Sequence, residues 1–126
     1  LAGDTVAVST TDFAMSQKDC EFIAKIQGVI AEQLADENFS IDTLAEQMNM
    51  SRSNLHLKLK AITGESTIDF IRKIRFNEAA KLLKDGRYTI AEVSTMVGFN
   101  TPSYFATSFK KYFGCLPTEY IKKAKG

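Results

Sequence analysis

The chain has 126 residues and a mass of 14.0 kDa, with 44% hydrophobic and 25% charged residues, the balance of one soluble globular domain with a modest core. No apolar run reaches the ~20 residues that a membrane helix needs, and the start lacks the basic-then-apolar order of an export signal, so a cytoplasmic location without membrane contact is expected. Two cysteines without CxxC spacing and a single histidine offer no zinc set, so reduced thiols, no metal and no cofactor are expected.

In chain order, residues 1–15 are rich in Thr, Ser, Ala and Val without a period and are expected to be a flexible tail or linker. Ser16 and Asp19 read as a capping box opening a helix over about 17–36. On it Phe22, Ile23, Ile26, Val29, Ile30 and Leu34 form one apolar stripe. The stripe is expected to pack on the rest of the chain; pairing with a second copy, a homodimer, is the alternative. Ser40 caps a short helix Ile41–Met48 that turns Ile41, Leu44, Ala45 and Met48 inward. Asn49 suits a left-handed turn, being the next-best residue to Gly there. Ser51 then caps a helix from Arg52 to Ile62, closed by Gly64, with Leu55, Leu59 and Ile62 inside. Arg52, Ser53, His56, Leu57 and Lys60 are left on the outside.

Ser66 with Asp69 opens a long helix over about 66–84, ended by Gly86. Its Ile68, Ile71, Ile74, Phe76, Ala79, Ala80, Leu82 and Leu83 offer apolar surface wide enough to touch units on both sides. Arg75 is expected either to meet a phosphate or to pair with an acid within this helix. Thr89 with Glu92 caps Ile90–Val97, and Gly98 marks the next tight turn. Thr101 as N-cap and Pro102 at the first helical position open a helix that Gly114 stops. Phe105, Phe109, Tyr112 and Phe113 fall on one face, to be anchored in the core. Pro102, Ser103, Ala106, Thr107 and Lys110 fall on the other: short, hydrogen-bonding or basic, and fit for a major groove. Pro117 opens a final helix whose Tyr120 and Ile121 fold it back before a Lys-rich end.

Each pair of short helices about a tight turn reads as a helix-turn-helix, and the chain carries the pattern twice. Ile41, Leu44, Met48 and Asn49 match Ile90, Val93, Val97 and Gly98 at an offset of 49. Leu55, Leu59, Lys60 and Gly64 match Phe105, Phe109, Lys110 and Gly114 at an offset of 50, so one residue is inserted at the start of the second outer helix. The fold class expected is all-α: two helix-turn-helix units, about 40–64 and 89–114, joined by the long helix, with an extra N-terminal helix. A helix of about 19 residues spans roughly 28 Å. Two outer helices held apart by it would sit near 34 Å, one turn of B-DNA, so that one chain could enter successive major-groove segments.

Charge is divided in the same direction. Residues 1–50 carry two basic and nine acidic side chains, net −7, whereas residues 51–126 carry fourteen basic and six acidic, net +8. A positive half opposed to a negative one fits docking on a polyanion through one face. Ordinary solvated charge is the plainer alternative.

From about Phe39 to Lys123 these residues resemble the DNA-binding domain of the AraC/XylS-type transcription regulators. The resemblance rests on Gly98-Phe99, Tyr104-Phe105, Phe109-Lys110, Gly114, Pro117 and Tyr120. Those are its most specific part, and the first unit matches too, in Leu44-Ala45, Met50-Ser51, Leu55, Leu59-Lys60 and Thr63-Gly64. Residues 16–126 would then be one such domain. FSIDTLAEQMNMSRSNLHLKLKAITGES with FIRKIRFNEAAKLL is most similar to the output domain of hybrid two-component regulators of Bacteroides-type bacteria. That resemblance implies promoter DNA as partner, activation through contact with RNA polymerase, and a receiver domain upstream in a longer protein. A free-standing small regulator of the same family is the near alternative.

The resemblance assigns base reading to Arg52, Ser53, His56 and Leu57 in the first unit and to Pro102, Ser103, Ala106 and Thr107 in the second. Arg52 could hold guanine through two bonds, His56 could donate to a purine edge, and Leu57, Ala106 or Thr107 could meet thymine methyls. Phosphate contacts are expected from Lys58, Lys60, Arg72, Lys73, Lys110 and Lys111, and from helix N-termini at Ser51 and Thr101. Leu57 and Ala106 stand where the family often has longer polar residues, and Ile121 replaces a frequent Arg, so the second helix is expected to read by methyl contact and shape. His56 lacks a nucleophile or carboxylate partner and Cys20 lacks an activating one, so no catalytic residue and no enzyme are expected. The rival is a protein-interaction module with only non-specific DNA affinity; a basic front with small residues on both outer helices, which protein binding alone would not require, discriminates against it.

Overall fold

The computed structural model describes residues 16–125, so the expected tail at 1–15 lies outside the described residues. All regular structure there is helical: α1 Gln17–Glu32, α2 Ile41–Gln47, α3 Arg52–Thr63, α4 Thr67–Asp85, α5 Ile90–Met96, α6 Pro102–Phe113 and α7 Pro117–Lys125. This is the all-α class expected, with the long helix one residue later than the sequence suggested. Ser16, Ser40, Ser51, Ser66, Thr89 and Thr101 all cap as expected, each accepting the backbone N–H three residues on.

Two local expectations need correction. Full reciprocal boxes form at Thr89–Glu92 and, unforeseen, at Ser40–Thr43, where the Thr43 hydroxyl accepts the Ser40 N–H. Ser16 and Ser66 cap in one direction only, and at Ser66 the Asp69 carboxylate takes Arg72 instead. Second, α1 stops at Glu32 rather than near residue 36. The Gln33 N–H bonds three residues back to Ile30, and its side-chain amide exchanges two bonds with that of Gln47, at 2.7 and 2.9 Å. That pair ties the end of α1 to the end of α2.

α4 is the axis of the molecule and packs against α1, α3, α5 and α7. One continuous core runs along it, from Ile26, Ile30 and Leu34 through Leu44, Leu55 and Leu59 to Phe76, Val93, Phe105 and Phe109, all buried. Burying each such side chain contributes about 1.5–3 kcal/mol. The α1 stripe is therefore spent within its own chain. Phe76 holds the second unit by an edge contact to Phe109 and by stacking with Tyr112 at 4.8 Å. Tyr112 remains 41% exposed and covers Phe76 from outside, so the inner face of α6 consists of the buried Phe105 and Phe109 with Phe113 half-buried against Phe109 and Phe76.

The repeat read from the sequence holds bond by bond. Met48 N–H bonds to Leu44, Asn49 to Glu46 and Met50 to Ala45; 49 residues on, Val97 bonds to Val93, Gly98 to Thr95 and Phe99 to Ser94. Asn49 at φ 56° and Gly98 at φ 91° are the left-handed corners of the two turns. Asn100 is the inserted residue that shifts the offset to 50 for the outer helices.

Candidate nucleic-acid interface

In the first unit the cap at Ser51 and the buried pair Leu55 and Leu59 fix the rotation of α3. Arg52, Ser53, His56, Leu57 and Lys60 are consequently exposed together, Leu57 at 64%. An apolar side chain so placed is available to a thymine methyl. Arg52 rests 3.4 Å from Asp42, with both side chains more than half exposed. Such a surface pair is worth ~0–1 kcal/mol, so the guanidinium can exchange it for a base edge. An open groove of about 530 Å³ runs beside these residues, lined also by Ile41, Ser66, Thr67 and Ile68.

In the second unit Thr101 and Pro102 start α6, and Phe105 and Phe109 turn inward. Pro102, Ser103 and Thr107 are exposed while Ala106 is half-buried. The Thr107 hydroxyl donates to the Ser103 carbonyl at 3.0 Å, so its hydrogen is used within the helix. Thr107 offers a methyl and acceptor lone pairs to whatever lies outside. This face can discriminate by methyl contact and shape more than by donated hydrogen bonds.

The cations expected on phosphate divide into free and engaged groups. Lys60, Lys110 and Lys111 are exposed, and among the described residues none has an ion-pair partner. Arg72 pairs loosely with Asp69 at 3.2 Å, more than half exposed. Lys73 is engaged in the free protein: its ammonium is 2.8 Å from Glu65, half-covered, and lies over the Phe70 ring. Lys58 is exposed, with its ammonium 4.5 Å over the Phe22 ring of α1. The Ser51 and Thr101 hydroxyls accept the Asn54 and Tyr104 N–H groups, which leaves the free backbone N–H groups of those helix ends to meet an anion. Arg75 was expected on a phosphate or an acid and does neither: its Nη1 donates to the Leu34 and Val97 carbonyls, at 3.1 and 2.6 Å. Burial lowers its pKa below the usual guanidinium value.

Tyr104 was not among the expected contact residues but stands beside them. It is 62% exposed, leans on Phe99, and lines a groove of about 470 Å³ with Arg72, Thr107 and Lys111. Its place three residues before Thr107 was the signal. Among the described residues no His, Cys, Asp or Glu cluster could hold a metal, and no helix is long and apolar enough to cross a membrane. Cys20 is exposed, Cys115 is buried, and both are free thiols.

Comparison with known proteins points the same way. Residues 44–123, more than half of the chain, match a helix-turn-helix domain family. The chain is 30% identical over 113 residues to "Histidine kinase P4" of Formosa agariphila, across 90% of the chain but 8% of that protein. It spans 36% and 29% of the length of two further curated relatives. Among solved structures, it is similar to the C-terminal domain of the two-component response regulator yesN from Fusobacterium nucleatum. That match has 30% identity and a TM-score of 0.71, covering 80% of this chain and 98% of that one. It is also similar to the DNA-binding domain of the global transcriptional factor AdpA, solved in complex with a target DNA, at 26% identity and a TM-score of 0.71, covering 79% of this chain and 89% of that one.

Proposed function

The chain belongs to the AraC-type helix-turn-helix family of transcription regulators, as a DNA-binding domain, and we propose that both of its units read bases in one promoter site. The observation that carries this reading is the hydrogen-bond identity of the two turns, each of which leads into a capped outer helix, α3 or α6, with an exposed front. Arg52, Ser53, His56 and Leu57 read in the first unit and Pro102, Ser103, Ala106 and Thr107 in the second. Lys60, Lys110, Lys111 and Arg72 hold phosphates, joined by backbone N–H groups behind Ser51 and Thr101.

This domain is the output end of a longer hybrid two-component regulator, with a receiver upstream and RNA polymerase as a partner in activation. The relatives support that reading: one is named a histidine kinase and another is part of a response regulator. The test of base reading is selection of bound duplexes from a random library at near-physiological salt. Two enriched motifs about 10 base pairs apart are expected. One motif would mean that a single helix reads bases. No enrichment, with binding lost as salt rises, would favour a protein-interaction module.

A further inference from the structure

The two turns share their bonds but not their surroundings, and the difference lies at Arg75. In the first unit the corner residue is Asn49, which carries a side chain; in the second it is Gly98. A Cβ on Gly98 would overlap both the Arg75 guanidinium and the Leu34 carbonyl. Nη1 of Arg75 uses both of its hydrogens there, one on the Leu34 carbonyl just beyond α1 and one on the Val97 carbonyl at the end of α5. Carbonyls at helix ends lack partners within the helix and carry partial negative charge, which a buried cation satisfies. Among the described residues no side chain donates to the Met48 carbonyl, the matching position of the first turn. The bridge is specific to the second unit.

We propose that Arg75 is a positioning residue for the second recognition helix, fixing the Gly98 turn to the end of α1 so that α6 presents its bases-facing side only when α1 is seated. The proposal rests on the DNA-reading function above and adds to it a direction. Three residues of turn, Gly98 to Asn100, separate the bonded Val97 carbonyl from the Thr101 cap of α6, so a shift at Val97 moves the start of that helix. In the longer regulator, α1 is the element that a receiver would adjoin. A shift of the Leu34 carbonyl away from Arg75 would loosen the Gly98 turn and with it reading by the second unit, whereas the first turn, which has no such bridge among the described residues, keeps its own bonds.

The experiment uses the selected duplex, the same duplex with the second motif scrambled, and the same with the first scrambled. Scrambling either motif is expected to weaken the wild-type chain by at least about tenfold. Arg75→Gln should reduce the penalty for scrambling the second motif to about twofold and leave the penalty for the first within about twofold of wild type. Arg75→Lys, which keeps charge and several N–H donors on one nitrogen, should restore part of the lost discrimination. Hydrogen exchange on the free protein should show residues 33–39 and 97–101 opening together in Arg75→Gln, with 48–51 unchanged. Equal loss at both motifs, an unchanged second motif, or exchange that rises at one end alone would overturn the proposal. Absence of any motif preference in the wild type would instead remove the DNA-reading function, and the paired exchange would still decide whether Arg75 ties the two ends.

Discussion

Gly98 and Arg75 compete for one space: the glycine's missing Cβ is where the guanidinium and the Leu34 carbonyl lie. Gly114 has a similar positive φ of 84° but nothing within 4 Å of a built Cβ. Gly114→Ala should therefore cost only the left-handed backbone term, about 1–2 kcal/mol. Gly98→Ala carries that term and also displaces Arg75 from two carbonyls, which adds about 1–3 kcal/mol for polar groups left buried without partners. Urea unfolding of both variants checks this. Equal losses would mean that the Arg75 bridge yields without cost.

Arg52→Ala should relax base preference in one half-site, at about 1–3 kcal/mol of discrimination. Since Asp42 holds the guanidinium only by an exposed contact, Asp42→Asn should leave that preference intact. Binding measured against single-base variants of the selected site separates the outcomes. A uniform loss on every duplex would make Arg52 a phosphate contact.

Ile30 is fully buried, whereas Ile23 on the same helix is half-covered. Ile30→Ala should destabilise the domain by about 2–5 kcal/mol. Ile23→Ala should cost clearly less. A small loss at Ile30 would show that α1 is an appendage and not part of the core.

Much of this architecture was legible because the sequence states it locally. Caps at Ser40, Ser51, Thr89 and Thr101, and stops at Gly64 and Gly114, mark helix ends by short-range chemistry, and the 49-residue echo exposes the duplication. What escaped depends on partners remote in sequence. Arg75 meets Leu34 across 41 residues and Val97 across 22, and the carbonyls it serves are the same in every residue type. Lys58 and Lys73 look like any surface lysine until Phe22 and Glu65 are placed beside them. Tyr104 was read for the family likeness it carries, and only the packing of Phe99 beneath it shows the ring standing beside Thr107 and Lys111.

The engaged and free lysines give the last expectation, because salt dependence counts phosphates neutralised. Each such contact adds about 0.9 to the slope of log affinity against log salt on duplex DNA. Lys110 is exposed and unpaired among the described residues, so Lys110→Gln should lower the slope by about one and weaken all sequences alike. Lys73 would have to leave Glu65 at 2.8 Å and the Phe70 ring to reach a phosphate. Lys73→Gln should thus leave the slope unchanged while costing a little stability through the lost pair. Titrations of one duplex at several salt concentrations decide between them. A slope that falls for Lys73→Gln would mean that DNA draws this lysine away from Glu65, and that the phosphate surface extends further along α4 than the free protein displays.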